Sequence, residues 1–311
     1  MAGQGHRDGR YSRPSVFAGH LSPSTQTALL YGLLVVVWGL VWPLSKIALA
    51  SCPPVLFAGL RVIISGLVLL PWTMKGLTRE SLRVNVILSL LNVFLFYGLQ
   101  NLALQQEPAG LVSILVYVQP VVTALLARVW LREWLTPVKL AGVILGFLGV
   151  AFISFDQIDL PHAGSLATGI GLAAGFSWAL GTVVYKKFRI HPRPVQDIGI
   201  QFSIGGVLLI GFGTVTEHWT QVHWSAVFLA DLLFVGLVGT AWAWIIWSRL
   251  VQASEASRVA AWTFLVPVLA TVLSVWWLGE SFTRGLAVGG MCVIMGLYLV
   301  NGVNSKRGTV R

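Results

Sequence analysis

The chain has 311 residues, of which 56% are hydrophobic and only 10% charged, and its formal net charge is +10. Soluble domains carry about 25% Asp, Glu, Lys and Arg, so so much apolar surface with so little charge excludes a water-soluble fold. Nucleic acid is excluded as a partner too, because the basic residues lie in short groups between long uncharged runs and form no exposed patch.

A helix that crosses a bilayer takes about 20 mostly apolar residues. In chain order, the polar stretch 1–25 reads as a disordered cytoplasmic tail. Ten spans follow, at 28–49, 54–73, 84–105, 109–129, 138–156, 165–187, 195–215, 227–249, 257–278 and 284–303, and a second cytoplasmic tail closes the chain at 304–311. These runs are too long and too uniformly apolar for barrel strands, and lipid tolerates only helices otherwise. The first span carries Trp38, Trp42, Pro43 and Lys46, unlike the short plain core of a secretory signal. Lys and Arg in short loops set orientation. With the N-terminus inside, 18 of the 21 basic residues fall in inner segments, and the outer loops hold only Arg284. The predicted fold is all-α and integral to the membrane, with both termini cytoplasmic.

The chain repeats itself. Trp38, Lys46, Pro54, Gly59 and Gly66 recur 140 residues later as Trp178, Lys186, Pro194, Gly199 and Gly206. Further on the offset is 147: Pro120, Glu133, Thr136, Gly142 and Gly149 match Pro267, Glu280, Thr283, Gly289 and Gly296. A longer connection around Glu217–Trp224 absorbs the difference. Two five-helix repeats, 26–156 and 157–303, follow. Because five is odd, the second enters the membrane from the opposite side, a pattern that marks secondary transporters with a substrate site near the midplane.

The same residues resemble the drug/metabolite transporter superfamily, in its EamA-like ten-helix branch. One signature is Trp38-Gly39, Lys46, Pro54 and Arg61. Another runs from Tyr97 through Ala109, Ser113, Pro120, Leu131 and Glu133 to Gly142 and Gly149, and returns as Ala256, Pro267, Leu278-Gly279-Glu280, Gly289 and Gly296. The resemblance covers about 28–303 and implies a carrier that exports amino acids or other small metabolites across a bacterial inner membrane. Two departures stand out: Arg132 replaces the glycine usual before Glu133, and Gln201 stands where the repeat would place a partner of Arg61.

Charged groups inside a span are costly and point to function. Arg61 is one, with Glu107 or Glu280 as its expected counter-charge. Lys46 and Lys186 are repeat-equivalent at opposite faces, as snorkelling anchors or as charged gates. No Asp or Glu is expected mid-span, so no carboxylate relay is evident. Tyr97, Gln100 and Asn101 share one helix face at i, i+3, i+4, and their repeat partners are Trp244, Trp247 and Ser248. Polar groups from one half and aromatic walls from the other suit a small-molecule site, completed by Tyr117, Gln119, Trp38, Trp42 and the repeat-equivalent Trp178. Pro120 and Pro267 are expected to kink their spans as hinges, freeing the carbonyls of Val116 and Thr263. Gly142 with Gly146, and Gly285 with Gly289, are expected to pack the fifth helix on the tenth. Gly169, Gly171 and Gly175 read as helix packing, not a nucleotide loop. Cys52 and Cys292 read as apolar fillers.

No Walker loop, nucleophile–base pair or His cluster suggests an enzyme, a cofactor or a metal. The expected partners are a small-molecule substrate and the lipid bilayer, with the protein a monomer or homodimer. The expected cargo is a small amino-acid-like or aromatic metabolite, the aromatic character following from the Trp and Tyr. The rival readings are a carrier of nucleobases, sugar derivatives or other drugs and metabolites, and a membrane protein of purely structural role.

Overall fold

The computed structural model describes residues 22–73, 78–107, 109–155, 166–188, 191, 193–278 and 284–302. Most of the expected tail and the whole of 304–311 fall outside them, as does Glu280. Helix α1 (Pro23–Ala48) starts inside the stretch expected as tail, because Ser22 caps it, accepting from Thr25 N–H at 3.2 Å, and Pro23 opens it with a preset φ. Then come α2 (Pro54–Thr73), α3 (Arg79–Leu88), a π segment (Ser89–Leu95), α4 (Phe96–Gln106), α5 (Ala109–Val116), α6 (Gln119–Trp130) and α7 (Pro137–Phe155). The second half holds α8 (Leu166–Phe188), α9 (Pro194–Thr216), α10 (Ala226–Leu233), a π segment (Phe234–Trp242), α11 (Ala243–Ala253), α12 (Ala256–Trp262), α13 (Leu265–Leu278) and α14 (Arg284–Gly302). Nine spans among the described residues are long and apolar enough to cross a bilayer, and Pro137–Ile153 of α7 is a shorter apolar one.

Two features differ from ten plain helices. The spans of Pro120 and Pro267 are broken, not merely kinked, whereas Pro43 and Pro71 lie inside continuous helices. Pro120 lies in the first turn of α6, behind a turn at Tyr117–Val118, and Pro267 lies near the start of α13, behind a turn at Thr263–Phe264. Proline removes the N–H that would continue the ladder, and the chain tightens there into i→i−3 bonds such as Val121 N–H to Val118 O and Thr263 N–H to Ala260 O. The other two interrupted spans pass through π segments. These are repeat-equivalent, since adding 147 to 89–95 gives 236–242, inside the second segment. A π segment widens a helix by one residue per turn and turns the following face. Composition and periodicity do not reveal it.

Glycines let two helix pairs touch backbone to backbone. A Cβ on Gly66 would lie 2.7 Å from Ser203 N, and one on Gly206 would lie 2.9 Å from Ile63 Cα. Gly59 meets Ile210, so contacts fall along α9 as they rise along α2, and the two helices run antiparallel. The α7–α14 seam behaves in the same way. A Cβ on Gly149 would come within 2.6 Å of Gly289 O, and one on Gly142 within 2.7 Å of Gly296 O. The seam pairs glycines seven apart, and the expected Gly146 joins it through its backbone, its N lying 2.7 Å from a Cβ on Gly296, while its own Cβ position faces the Phe264 ring. Gly171 and Gly175 bring α8 against Leu115 and the Val116 carbonyl, as packing predicts, while nothing lies within 4 Å of a Cβ at Gly169.

Arg132 has φ 55°, the left-handed region that favours glycine. The repeat offset of 147 aligns it with Gly279. Arg132→Gly is expected to stabilise the fold by about 1 kcal/mol, since a side chain in that region costs about 1–2 kcal/mol. Unfolding in graded SDS checks this; a midpoint at or below that of the parent chain refutes it.

A candidate substrate chamber at the seam of the two halves

Tryptophans divide by position. Trp72, Trp130, Trp134, Trp219 and Trp224 are exposed near helix ends, where amphipathic rings favour the lipid–water boundary. Trp38, Trp42, Trp178, Trp244 and Trp247 are buried together, and the repeat partners touch. Trp38 and Trp178 meet edge to face at 5.4 Å, and Trp244 Nε1–H donates to Tyr97 Oη at 2.6 Å. Around them lies a chamber of about 40 Å³, lined by Trp38, Val41, Trp42, Arg61, Phe96, Tyr97, Gln100, Val116, Tyr117, Trp178 and Trp244. At roughly 10–15 Å³ per water it holds about three waters. As it stands it is too small for a molecule of metabolite size.

Most of the residues expected at a site meet here, and four do not. Asn101 turns its amide back to the Tyr97 carbonyl at 2.8 Å. Gln119 donates to Thr123 Oγ1 at 2.9 Å. Ser248 is buried outside the lining, and Trp247 sits one layer behind it, 5.5 Å from both Trp38 and Trp178. Val41, Phe96 and Val116 were missed, because a lone apolar residue on an apolar span carries no signal. Tyr117 sits on the broken turn and accepts from Trp42 Nε1–H at 3.2 Å, so the proline break delivers it to the chamber.

Several polar atoms of the lining are unpaired among the described residues. Arg61 is 2% exposed. Its Nε and Nη2 donate to Thr240 Oγ1 at 3.1 and 2.9 Å and its Nη1 reaches Ser45 Oγ at 3.5 Å, while Tyr97 lies under the guanidinium at 4.6 Å. A guanidinium has five N–H donors, so two remain. Trp178 Nε1 and Gln100 Oε1 are buried without a partner. Buried polar atoms are paired in the great majority of cases, and orphans that share one chamber mark where a ligand's polar groups would go. The expected counter-charge is corrected: the acid that acts electrostatically on Arg61 is Asp231, on α10, and not Glu107. Asp231 stands six residues past the cap of its helix, near the start of its span and not at its middle, and is already buried there.

The two lysines do equivalent work at opposite ends of the bundle. Lys46 Nζ donates to the carbonyls of Leu104 at 2.7 Å and Glu107 at 3.4 Å, at the end of α4. Lys186 Nζ donates to the carbonyl of Ser254, at the end of α11, and lies 3.4 Å from Glu133 Oε1. Ser254 stands 147 residues after Glu107. Each ammonium therefore meets the negative end of a helix. Glu133 in turn caps α12, accepting from Ala256 N–H at 2.7 Å, Ser257 N–H at 3.2 Å and Ser257 Oγ–H at 2.7 Å. Glu133→Ala is expected to cost about 2 kcal/mol, because it strips two helix N–H groups of their acceptor; an unchanged SDS unfolding midpoint refutes this. In the loop before α2, burial first and the Glu217 charge second push the Cys52 thiol up to about 12, so it stays protonated and inert, as a filler should.

The EamA-like transporter family model matches residues 26–155 and again 166–302. The chain belongs to the EamA-like transporter family. It is 40% identical to an uncharacterized transporter, YvbV, of Bacillus subtilis over 283 residues, 90% of this chain and 92% of the relative. It is 30% identical to a protein of Escherichia coli named "Probable amino-acid metabolite efflux pump", covering 89% of this chain and 95% of that one, and 29% identical to a protein of the same name from Salmonella typhimurium, with the same coverage. A solved crystal structure superposes with a TM-score of 0.73 over 91% of this chain and 99% of its own, at 18% identity, which shows a shared fold. This EamA-like protein is a multi-pass membrane transporter.

Proposed function

We propose that the protein is a secondary transporter that exports small amino-acid-like metabolites, aromatic ones included, across the cell's inner membrane by alternating access. One observation carries this reading: an aromatic chamber whose unpaired atoms complement a zwitterion. The spare N–H groups of Arg61 and the indole N–H of Trp178 suit a carboxylate, and Gln100 Oε1 suits an ammonium. Trp faces suit an aromatic side chain or attract the ammonium. The names of the Escherichia coli and Salmonella relatives agree with this cargo.

Alternating access requires two halves that pivot about the chamber. The reciprocal seams support two inverted repeats, 26–156 and 157–303: Gly142 touches Gly296 and its repeat partner Gly289 touches Gly149. Equivalent residues exchanging roles across an antiparallel pair is the signature of a two-fold axis in the membrane plane. In this reading both termini are cytoplasmic, Lys46 and Lys186 are gating staples at the outer and inner mouths, and the breaks at Pro120 and Pro267 are the hinges that widen the contracted chamber. Discontinuous helices beside the site are usual in such carriers.

Proteoliposomes loaded with a panel of labelled amino acids test the function. Saturable flux is expected, strongest for aromatic members and inhibited by unlabelled competitors. If no member shows saturable flux, the reading fails.

A further inference from the structure

Asp231 is the anomaly the proposed transport leaves unexplained. It is 7% exposed, and neither carboxyl oxygen has a hydrogen-bond partner among the described residues. Helix α10 packs against α1, α2 and the π segment 234–242. The titratable and charged groups on these elements are Tyr31 and Lys46 of α1 and Arg61 of α2. Tyr31 stacks on Trp262 at 4.6 Å, and Lys46 is committed to the carbonyls of Leu104 and Glu107. Arg61 alone acts on the carboxylate. Their charges attract, yet they form no ion pair within 4.0 Å, so each keeps only part of its compensation. The same guanidinium lines the chamber with two N–H groups unbonded.

We infer that Asp231 is a proton-binding site coupled to substrate through Arg61, an inference that rests on the carboxylate-binding reading above. A substrate carboxylate seated on Arg61 neutralises the one positive charge that compensates Asp231. The aspartate is then an anion in a dry interior with neither counter-charge nor hydrogen bond, a costly state. It is relieved when Asp231 takes a proton from the water that fills the open chamber, forming one O–H bond and breaking none in the protein. When the substrate leaves, Arg61 again faces Asp231 and the proton returns to water. Carboxylate and proton therefore bind together and leave together, and linkage makes the effect mutual. Substrate and one proton cross in the same direction, and net movement follows the sum of their gradients. With an acid exterior, export proceeds only when the internal metabolite concentration is high, so the carrier acts as an overflow valve.

The test uses full-length protein in proteoliposomes, labelled L-phenylalanine, and a potential clamped with potassium and valinomycin. Wild type is expected to show counterflow, and a gradient of one pH unit should drive up to about a tenfold accumulation toward the alkaline side, the limit for one proton per substrate. Asp231→Asn should carry counterflow but show no accumulation driven by pH. Counterflow that ignores pH in the wild type, or a pH response that survives in Asp231→Asn, overturns the coupling and leaves transport standing. Absence of wild-type counterflow defeats both readings. A second measurement needs no variant: adding phenylalanine to wild type in weakly buffered detergent, between about pH 5 and 8, should take up protons, at most one per protein. No uptake on proven binding overturns the proposal.

Discussion

Arg61→Ala is expected to lower the apparent affinity for a transported carboxylate about 100-fold while leaving helical content intact. The guanidinium is buried and lines the chamber, and its neutral partners, Thr240 and Ser45, satisfy three of its five donors. A buried, hydrogen-bonded charge pair lost on one side costs about 2–5 kcal/mol, and about 3 kcal/mol corresponds to roughly 100-fold. Arg61→Lys should recover only part of this, because an ammonium is a single point charge and cannot present a planar fork to a carboxylate. Concentration dependence of phenylalanine counterflow reads the affinity, and circular dichroism reads the fold. An affinity within threefold of the parent in Arg61→Ala would remove Arg61 from the binding site.

Gly149→Val is expected to prevent stable folding, at a cost of 3 kcal/mol or about that. Its first carbon would already lie 2.6 Å from Gly289 O and 2.8 Å from Val293 N, both backbone atoms of α14 that cannot rotate aside. Forced overpacking costs about 1–3 kcal/mol when side chains can adjust and more when they cannot. Gly149→Ala should already show part of the loss. The contrast is Gly211→Ala, where no atom lies within 4 Å and the mutation should be neutral or stabilising by about 0.5–1 kcal/mol through helix propensity. Comparable SDS unfolding midpoints for Gly149→Ala and Gly211→Ala would show that the seam does not hold the fold.

The spans were legible because lipid imposes a crude requirement, long apolar runs, that sequence states openly: 54–73 is read to the residue. The seams were half legible. The repeat located Gly142, Gly149, Gly289 and Gly296, but which glycines meet depends on the crossing of α7 and α14, and the spacing of four that pointed to Gly146 did not show that it is shared between Gly296 and the Phe264 ring. Within the candidate site, Tyr97 and Gln100 could be read from helical spacing and Trp178 from the repeat. Asn101 had the same spacing, but its short amide finds its own helix carbonyl first. Asp231 was overlooked because burial depends on which helices cover a position, and an acid five residues into an apolar run looks like a boundary residue until α1 and α2 are seen packed on it. The π segments left no trace in the sequence either, though one of them carries Thr240, the main hydroxyl partner of Arg61.

The glycine seams decide what kind of motion the molecule can make. Where backbone atoms sit in the notch of a missing side chain on each partner, sliding by one residue drives a neighbouring side chain into backbone, which opposes lengthwise travel of α2 on α9 and of α7 on α14. Rotation about such a contact displaces its atoms very little. In the alternating access we propose, the two seams are therefore the axles, and the swing falls to the walls that carry Trp38 and Trp178.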